Sequence, residues 1–346
     1  MTASPTLRVG VVGAGAMGAD HVTRISERIS GADVTAIVEP DAGRLRSAIL
    51  AAPRARPFAR LESAIEAGAI DAVLVATPGR LHEAALLAGL EARLAIFCEK
   101  PLATDPAAAR RIVEAERRLD RPHIQVGFMR RFDVEHQELR ALVASGGAGS
   151  LLLLHCVHRN RSVPDGYTQD MLITDSVVHE LDAVPWLAGS PIRALEVRHP
   201  RRNSRAPERL SEPILVLLEL QNGVLADVEM NVSAELGYQV ATEAVLERGV
   251  ARIGQPSGLQ RWQEGRVAIA EPQSFTTRFR DAYDRQVQSW VEAAHRGTVA
   301  GPNAWDGLMV ALACEAGLQA LYGGGRIEIP MPERPAFYAV GGAPGS

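Results

Sequence analysis

Lysine is almost missing from this chain of 346 residues: of its 37 basic side chains, only Lys100 is not an arginine. Arginine serves wherever a fork of donors or a delocalised charge will do, but it cannot replace a compact ammonium that must meet one atom. Lys100 therefore reads as a functional point donor, against the plainer reading of a chance survivor at a strand end. Cysteine is also scarce. Cys98, Cys156 and Cys314 lie far apart, which excludes a disulfide framework and any metal spacing. No metal is expected, and the pattern suits a reducing, cytoplasmic setting. A charged N-terminal stretch followed by an apolar one is lacking, as is any apolar run long enough to span a bilayer, so neither a leader nor a membrane partner is expected. Excess charge is lacking too. A formal net charge of −4 and a pI near 6.2 argue against nucleic acid as a partner, and the short basic stretch at 198–205 reads as a solvated loop.

What is present is an ordinary globular composition, 47% hydrophobic and 23% charged, in a chain long enough for two domains. Up to about residue 125, short apolar runs at 7–12, 34–38, 72–76, 95–97 and 124–128 alternate with helical patterns such as 106–119. That alternation predicts a parallel sheet wrapped by helices on both faces. After the glycines at 146–149 the runs lengthen and crowd: 151–160, 192–198, 213–220, 223–232, 242–247 and 266–270, with a turn signal at Asn222-Gly223. These predict an open, mostly antiparallel sheet covered by helices at 174–187, 279–296 and 303–322. The run 214–218 is apolar at every position, so both its faces should be covered, one of them by a second copy of the chain. The Gly- and Pro-rich tail, 341–346, is expected to fray.

Gly13-Ala14-Gly15-Ala16-Met17-Gly18 follows the first strand and opens a helix, with the spacing G-x-G-x-x-G. Gly13 permits the tight turn, Gly15 lets a pyrophosphate approach, and Gly18 permits close helix–strand packing. The helix N-terminus would face the diphosphate. Glu39 closes the second strand at the distance expected of a ribose ligand, and its charge would repel a 2′-phosphate, which favours NAD over NADP. The predicted class is thus α/β plus α+β: a doubly wound Rossmann domain over 1–128 and a substrate and oligomerisation domain over 129–338. The final helix, 302–322, is a candidate to pack back on the first domain.

Further along, Asp175 and His179 stand four apart on an expected helix and share one face. A histidine beside a carboxylate is a common general base near neutral pH. The plainer readings are a helix N-cap for Asp175 and a packed core histidine for His179. In the strand at 151–160, alternation puts Leu152, Leu154, Cys156, His158 and Asn160 on one face and Leu151, Leu153, His155 and Val157 on the other. His158 and Asn160 then point the same way at its polar end.

With the glycine fingerprint at one end and Glu99-Lys100-Pro101 after a buried strand, the chain resembles the glucose–fructose oxidoreductase/inositol dehydrogenase (Gfo/Idh/MocA) family. The segments Gln125–Asp133, His158-Arg159-Asn160, Tyr167–Met171, Asp175–Asp182 and Gly301–Gly307 resemble its bacterial inositol 2-dehydrogenase branch. The likeness runs in order from the first strand to about Tyr338. It implies NAD-dependent oxidation of a small polyol, myo-inositol, in inositol catabolism, by a cytoplasmic homotetramer. The alternatives are another inositol isomer or a pyranose, and a regulator that binds the cofactor without turnover. The resemblance makes Lys100, Asp175 and His179 catalytic and sets Arg130, His158, Asn160 and Tyr238 around the substrate. It puts Gly13, Gly15, Ala16, Met17, Gly18, Glu39, Thr77, Pro78, His82, Glu99 and Lys100 at the cofactor. Pro78 departs from the branch, which often carries tryptophan near the nicotinamide.

Lys100→Arg keeps the charge but not the point donor, so turnover should fall nearly as far as in Lys100→Ala. Steady-state kinetics of the two variants checks this, and a fully active arginine variant would make the lone lysine an accident of composition.

Overall fold

A computed structural model describes residues 6–255 and 259–339; the tail at 341–346 lies outside them. The chain divides into two compact units. Of the described residues, the first comprises 6–128, 283–311 and 332–339; the second comprises 129–255, 259–282 and 312–331.

The first unit is built on six parallel strands: β1 (Leu7–Val12), β2 (Ala32–Val38), β3 (Arg56–Phe58), β4 (Ala72–Val75), β5 (Ala95–Glu99) and β6 (Ile124–Gly127), in the order β3-β2-β1-β4-β5-β6. This is the doubly wound order, in which the succession of strands reverses beside β1. Strands β4 and β6 are buried at every position, as a parallel sheet covered on both faces requires. The edge strand β3 has no apolar run; it contains Pro57 and is largely exposed, so the sequence pattern passes over it. Helices α1 (Ala16–Arg28), α2 (Ala42–Ala51), α3 (Leu61–Glu66), α4 (His82–Glu91) and α5 (Pro106–Glu116) make the crossovers. Asp41 and Asp105 cap α2 and α5 with their side chains.

The second unit opens with α6 (Val134–Ser145) and carries β7 (Leu151–Arg159), α7 (Val178–Ala188), β8 (Ile192–Arg198), β9 (Ile214–Leu220), β10 (Leu225–Asn231), β11 (Gln239–Leu246) and β12 (Gly249–Ile253). With β15 (Arg326–Glu328) they form a seven-stranded sheet, β12-β11-β7-β10-β9-β8-β15, antiparallel except where β7 runs parallel to β10. The strand expected at 266–270 stands apart from it. As β14 (Arg266–Ile269) it pairs only with β13 (Gln260–Gln263), and every residue of that hairpin is exposed.

Three further expectations change. The helix α9 (Arg280–His295), after the short α8 (Phe275–Arg278), was expected to cover the second sheet. Instead its Val287, Trp290 and Val291 complete the core around β1 and β2. The last helix, α10 (Ala304–Gly323), is divided, with 304–311 in the first unit and 312–323 in the second. In β7 a register shift opposite Val245 and Leu246 reverses the alternation at its start, so Leu151 is buried and Leu152 is exposed. From Leu154 on, the expected phase holds, and Leu154, Cys156 and His158 point inward.

Candidate active site

The glycine turn shows a separate physical reason for each of its three glycines. Gly13 has φ +89°, and a Cβ there would meet the Ala76 carbonyl oxygen at 2.9 Å. At Gly18 a Cβ would lie 1.9 Å from the Gly13 carbonyl oxygen. At Gly15 it would meet nothing within 4 Å. Helix α1 starts there without a side-chain cap or an acidic residue in its first turn, so the N–H groups around Ala16 and Met17 face open space. A diphosphate fits this cradle on both geometry and charge. Glu39, nearly enclosed, accepts from the Ala14 N–H at 2.7 Å and from the Asp41 N–H at 2.9 Å. It braces the turn, and each oxygen keeps a second lone pair for a ribose hydroxyl.

On the neighbouring loops, the buried Thr77 hydroxyl oxygen has no hydrogen-bond partner, and Pro78 is exposed. His82, expected at the cofactor, has a different position. It is wholly enclosed, with its ring nitrogens 2.8 Å from the Thr77 and Pro101 carbonyl oxygens. Its ring thus ties together the two loops that carry Thr77 and Pro101. Glu99 ends β5, and Lys100 is the next residue, half-buried. The Glu99 carboxylate accepts from the Lys100 main-chain N–H at 3.2 Å and contacts His21 at 2.7 Å.

In the second unit, Arg130 follows β6 in a short helical turn, Met129–Phe132. Its guanidinium donates to Glu180 and lies 3.1 Å from His158 Nδ1, which is 3.2 Å from the other Glu180 oxygen. All three side chains are nearly inaccessible. Burial pushes the Glu180 carboxyl up, but Arg130 and His158 outweigh it and hold the value at about 2. Around this ion pair, the His158 ring lies 6.2 Å from that of His179 and 5.8 Å from that of Tyr238. Burial raises the Tyr238 hydroxyl to about 12, with Arg130 pulling the other way. Asn160 lies just past β7, and its buried side-chain oxygen has no partner; nor does Arg130 Nε.

Asp175 and His179 are brought to one helix, but it is not the simple α-helix expected. Residues Leu172–Val177 form a π-turn that runs into α7. Such turns re-aim side chains and are frequent at functional sites. Asp175 lies inside the π-turn, and the residues flanking the two segments are Met171 and Val177, which removes the N-cap reading. Among the described residues no cluster of His, Cys, Asp and Glu could hold a metal ion.

Residues 7–128 match the model of an oxidoreductase family with an NAD-binding Rossmann fold, and residues 136–252 match the GFO/IDH/MocA C-terminal domain. The chain belongs to the GFO/IDH/MocA family. Its relatives include an inositol 2-dehydrogenase of Leifsonia xyli, 65% identical over 98% of this chain and 100% of its own length. One from Corynebacterium glutamicum is 62% identical over 97% and 100%. A crystal structure of myo-inositol dehydrogenase from Lactobacillus casei, in complex with NAD(H) and myo-inositol, is similar at a TM-score of 0.94. It has 31% identity, and the match covers 96% of this chain and 99% of that one.

Two residues of this GFO/IDH/MocA site escape the sequence reading. Glu180 follows His179 directly, and with Asp182 as a second carboxylate in the same helix the sequence does not single it out. His21 sits in α1 just past the glycine fingerprint, where the motif itself hides it.

Because the folded Glu180 value of about 2 lies below the ordinary 4.5, the folded state binds fewer protons there. Its contribution, on the order of 3 kcal/mol, is complete above pH ~4.5 and lost as pH falls towards 2. Glu180→Gln should cost about 3 kcal/mol at pH 7 by stranding Arg130, and should flatten that acid slope in urea unfolding curves. An unchanged slope would show the pair to be thermodynamically idle.

Proposed function

We propose that this protein is an NAD-dependent dehydrogenase that oxidises myo-inositol to 2-keto-myo-inositol. The observation that carries the reading is the full-length likeness to inositol 2-dehydrogenases, at 65% identity. The residues supply its chemistry. NAD, which the glycine turn and Glu39 would hold, would supply the hydride acceptor for the carbinol carbon. His179 takes the proton from the hydroxyl on that carbon. Asp175 orients the imidazole and favours its charged form. Lys100 donates to the reacting oxygen, which favours the developing alkoxide. Asn160, with its unpartnered oxygen, accepts from a further ring hydroxyl. Arg130, His158 and Tyr238 form the layer against which the ring lies. Glu39 selects against a 2′-phosphate, so NAD is preferred over NADP.

Pro78 favours a second reading. A proline where the inositol branch often has tryptophan changes the surface beside the nicotinamide, which suits another inositol isomer or a pyranose.

The wider setting follows from the same reading. The three cysteines are buried, in keeping with a cytoplasmic enzyme of inositol catabolism. A homo-oligomer, a tetramer by family likeness, would cover the outward face of the second sheet, where Leu215 and Leu217 are only half-buried and Leu225 is exposed. Light scattering at micromolar concentration should give a mass well above that of one chain; a monomer would remove the oligomer.

Purified protein should form NADH fastest with myo-inositol among myo-, scyllo- and chiro-inositol and glucose. General-base help is typically worth about 10²–10⁴ in rate, so His179→Ala should lose at least ~10²-fold in kcat while still binding NAD. Preference for another polyol would move the substrate assignment to the second reading. NAD binding without any turnover would make the protein a cofactor-binding regulator.

A further inference from the structure

His21 has no part in the glycine turn, yet it is wholly enclosed in the first unit. Its Nε2 lies 2.7 Å from Glu99 Oε1, and its Nδ1 lies 3.1 Å from Arg24 Nη1. A guanidinium has donors only. The Arg24 contact is therefore favourable only where Nδ1 keeps its lone pair. The ring proton is then on Nε2, where it donates to Glu99. Arg24 cannot turn away to relax this choice. Its Nε donates to Asp284 at 2.8 Å, its Nη2 lies 2.7 Å from Asp20, and its guanidinium sits 5.1 Å over the Tyr283 ring. From the other side, Gly127 leaves room for the carboxylate, since a Cβ there would lie 3.1 Å from Glu99 Oε2. That oxygen receives the Lys100 main-chain N–H.

We propose that His21 and Arg24 are positioning residues for Lys100: they lock one imidazole tautomer, so that Glu99 stays an anionic anchor under the chain's single lysine. The inference rests on reading Lys100 as the donor to the reacting oxygen. The two opposing effects on Glu99 show why a lock is needed. Burial pushes its carboxyl up, whereas the hydrogen bond and charge interaction with His21, then the Lys100 charge and the Lys100 N–H, together hold it below the ordinary range. Loss of the His21 donor tips this balance towards a neutral Glu99, which neither attracts the ammonium nor fixes the turn that aims it.

The test uses His21→Leu and His21→Gln in the full chain. Glutamine reproduces the locked tautomer, with an amide N–H for Glu99 and a carbonyl oxygen for Arg24; leucine offers neither. His21→Leu should lower kcat for NAD-dependent myo-inositol oxidation by at least ~10-fold, with the Kd for NAD and the KM for polyol within ~3-fold, and glutamine should restore kcat to within ~3-fold. A merely structural histidine would lower Tm in the leucine variant and leave kcat per NAD-binding site unchanged, which overturns the inference. If the leucine variant does not fold, Gly127→Ala displaces the Glu99 carboxylate from the opposite side. It should give the same split between kcat and KM, and wild-type kcat there overturns the inference as well. Unsubstituted protein without turnover on any polyol overturns the substrate reading and this inference with it. An active enzyme with an equally active His21→Leu variant overturns this inference alone.

Discussion

A carboxylate taken out of water must find donors, or it gives up its charge. Much of this structure follows from meeting that demand at a few places. Glu180 does so with Arg130 and His158, which arrive from the segment after β6 and from β7. Two distant stretches are thereby fixed to the helix that carries His179, one residue before Glu180. The first unit uses the same device twice. Glu99 is satisfied by His21 and by the Lys100 N–H. Glu116 accepts from the His123 and Ile124 N–H groups, each at 2.7 Å, and from the Tyr338 hydroxyl at 2.6 Å. Burial still raises Glu116 above the ordinary range, so those donors satisfy it without fully holding its charge.

The consequence for chemistry is rigidity at the point of reaction. A base and a point donor gain rate only when they are held where the reacting atoms will be. His179 extends from a helix whose neighbouring residue is anchored by an ion pair. Lys100 leaves a strand whose last residue is held by His21 at 2.7 Å. The cofactor cradle obeys the opposite rule, because it works by leaving space. Gly15 has no neighbour within reach of a Cβ, while Gly13 and Gly18 fill their surroundings so closely that no side chain fits.

The fold was legible where burial imposes a pattern. The fully buried strands β4 and β6, and β1 apart from Arg8, announce themselves as apolar runs, and the glycine turn as a spacing. The edge strand β3 and the exposed β13 bury too little to leave a signal, and β14 shows as a run without showing that it stands apart from the main sheet. Helix α9 shows another limit, since an amphipathic stripe says that a helix covers something but not which sheet. The π-turn at Leu172–Val177 is invisible because one extra residue in a turn barely alters the 3.6 period. Among site residues, those with an unusual identity or a known spacing stood out, as Lys100, Gly15 and His179 do. Residues that act through a partner did not: Glu180, His21 and Arg24 have meaning only once the fold closes their hydrogen bonds. His82 was legible as important, but its task in holding two loops was not.

The proposed chemistry is direct hydride transfer from the inositol carbinol carbon to NAD. The most direct test incubates the protein with NAD and myo-inositol deuterated at C2, then locates the label by mass spectrometry and NMR of the reduced nicotinamide. The account predicts one deuterium at the nicotinamide C4 for each ketone formed, and slower turnover than with unlabelled substrate. Label lost to solvent, or NADH formed without it, would contradict the account.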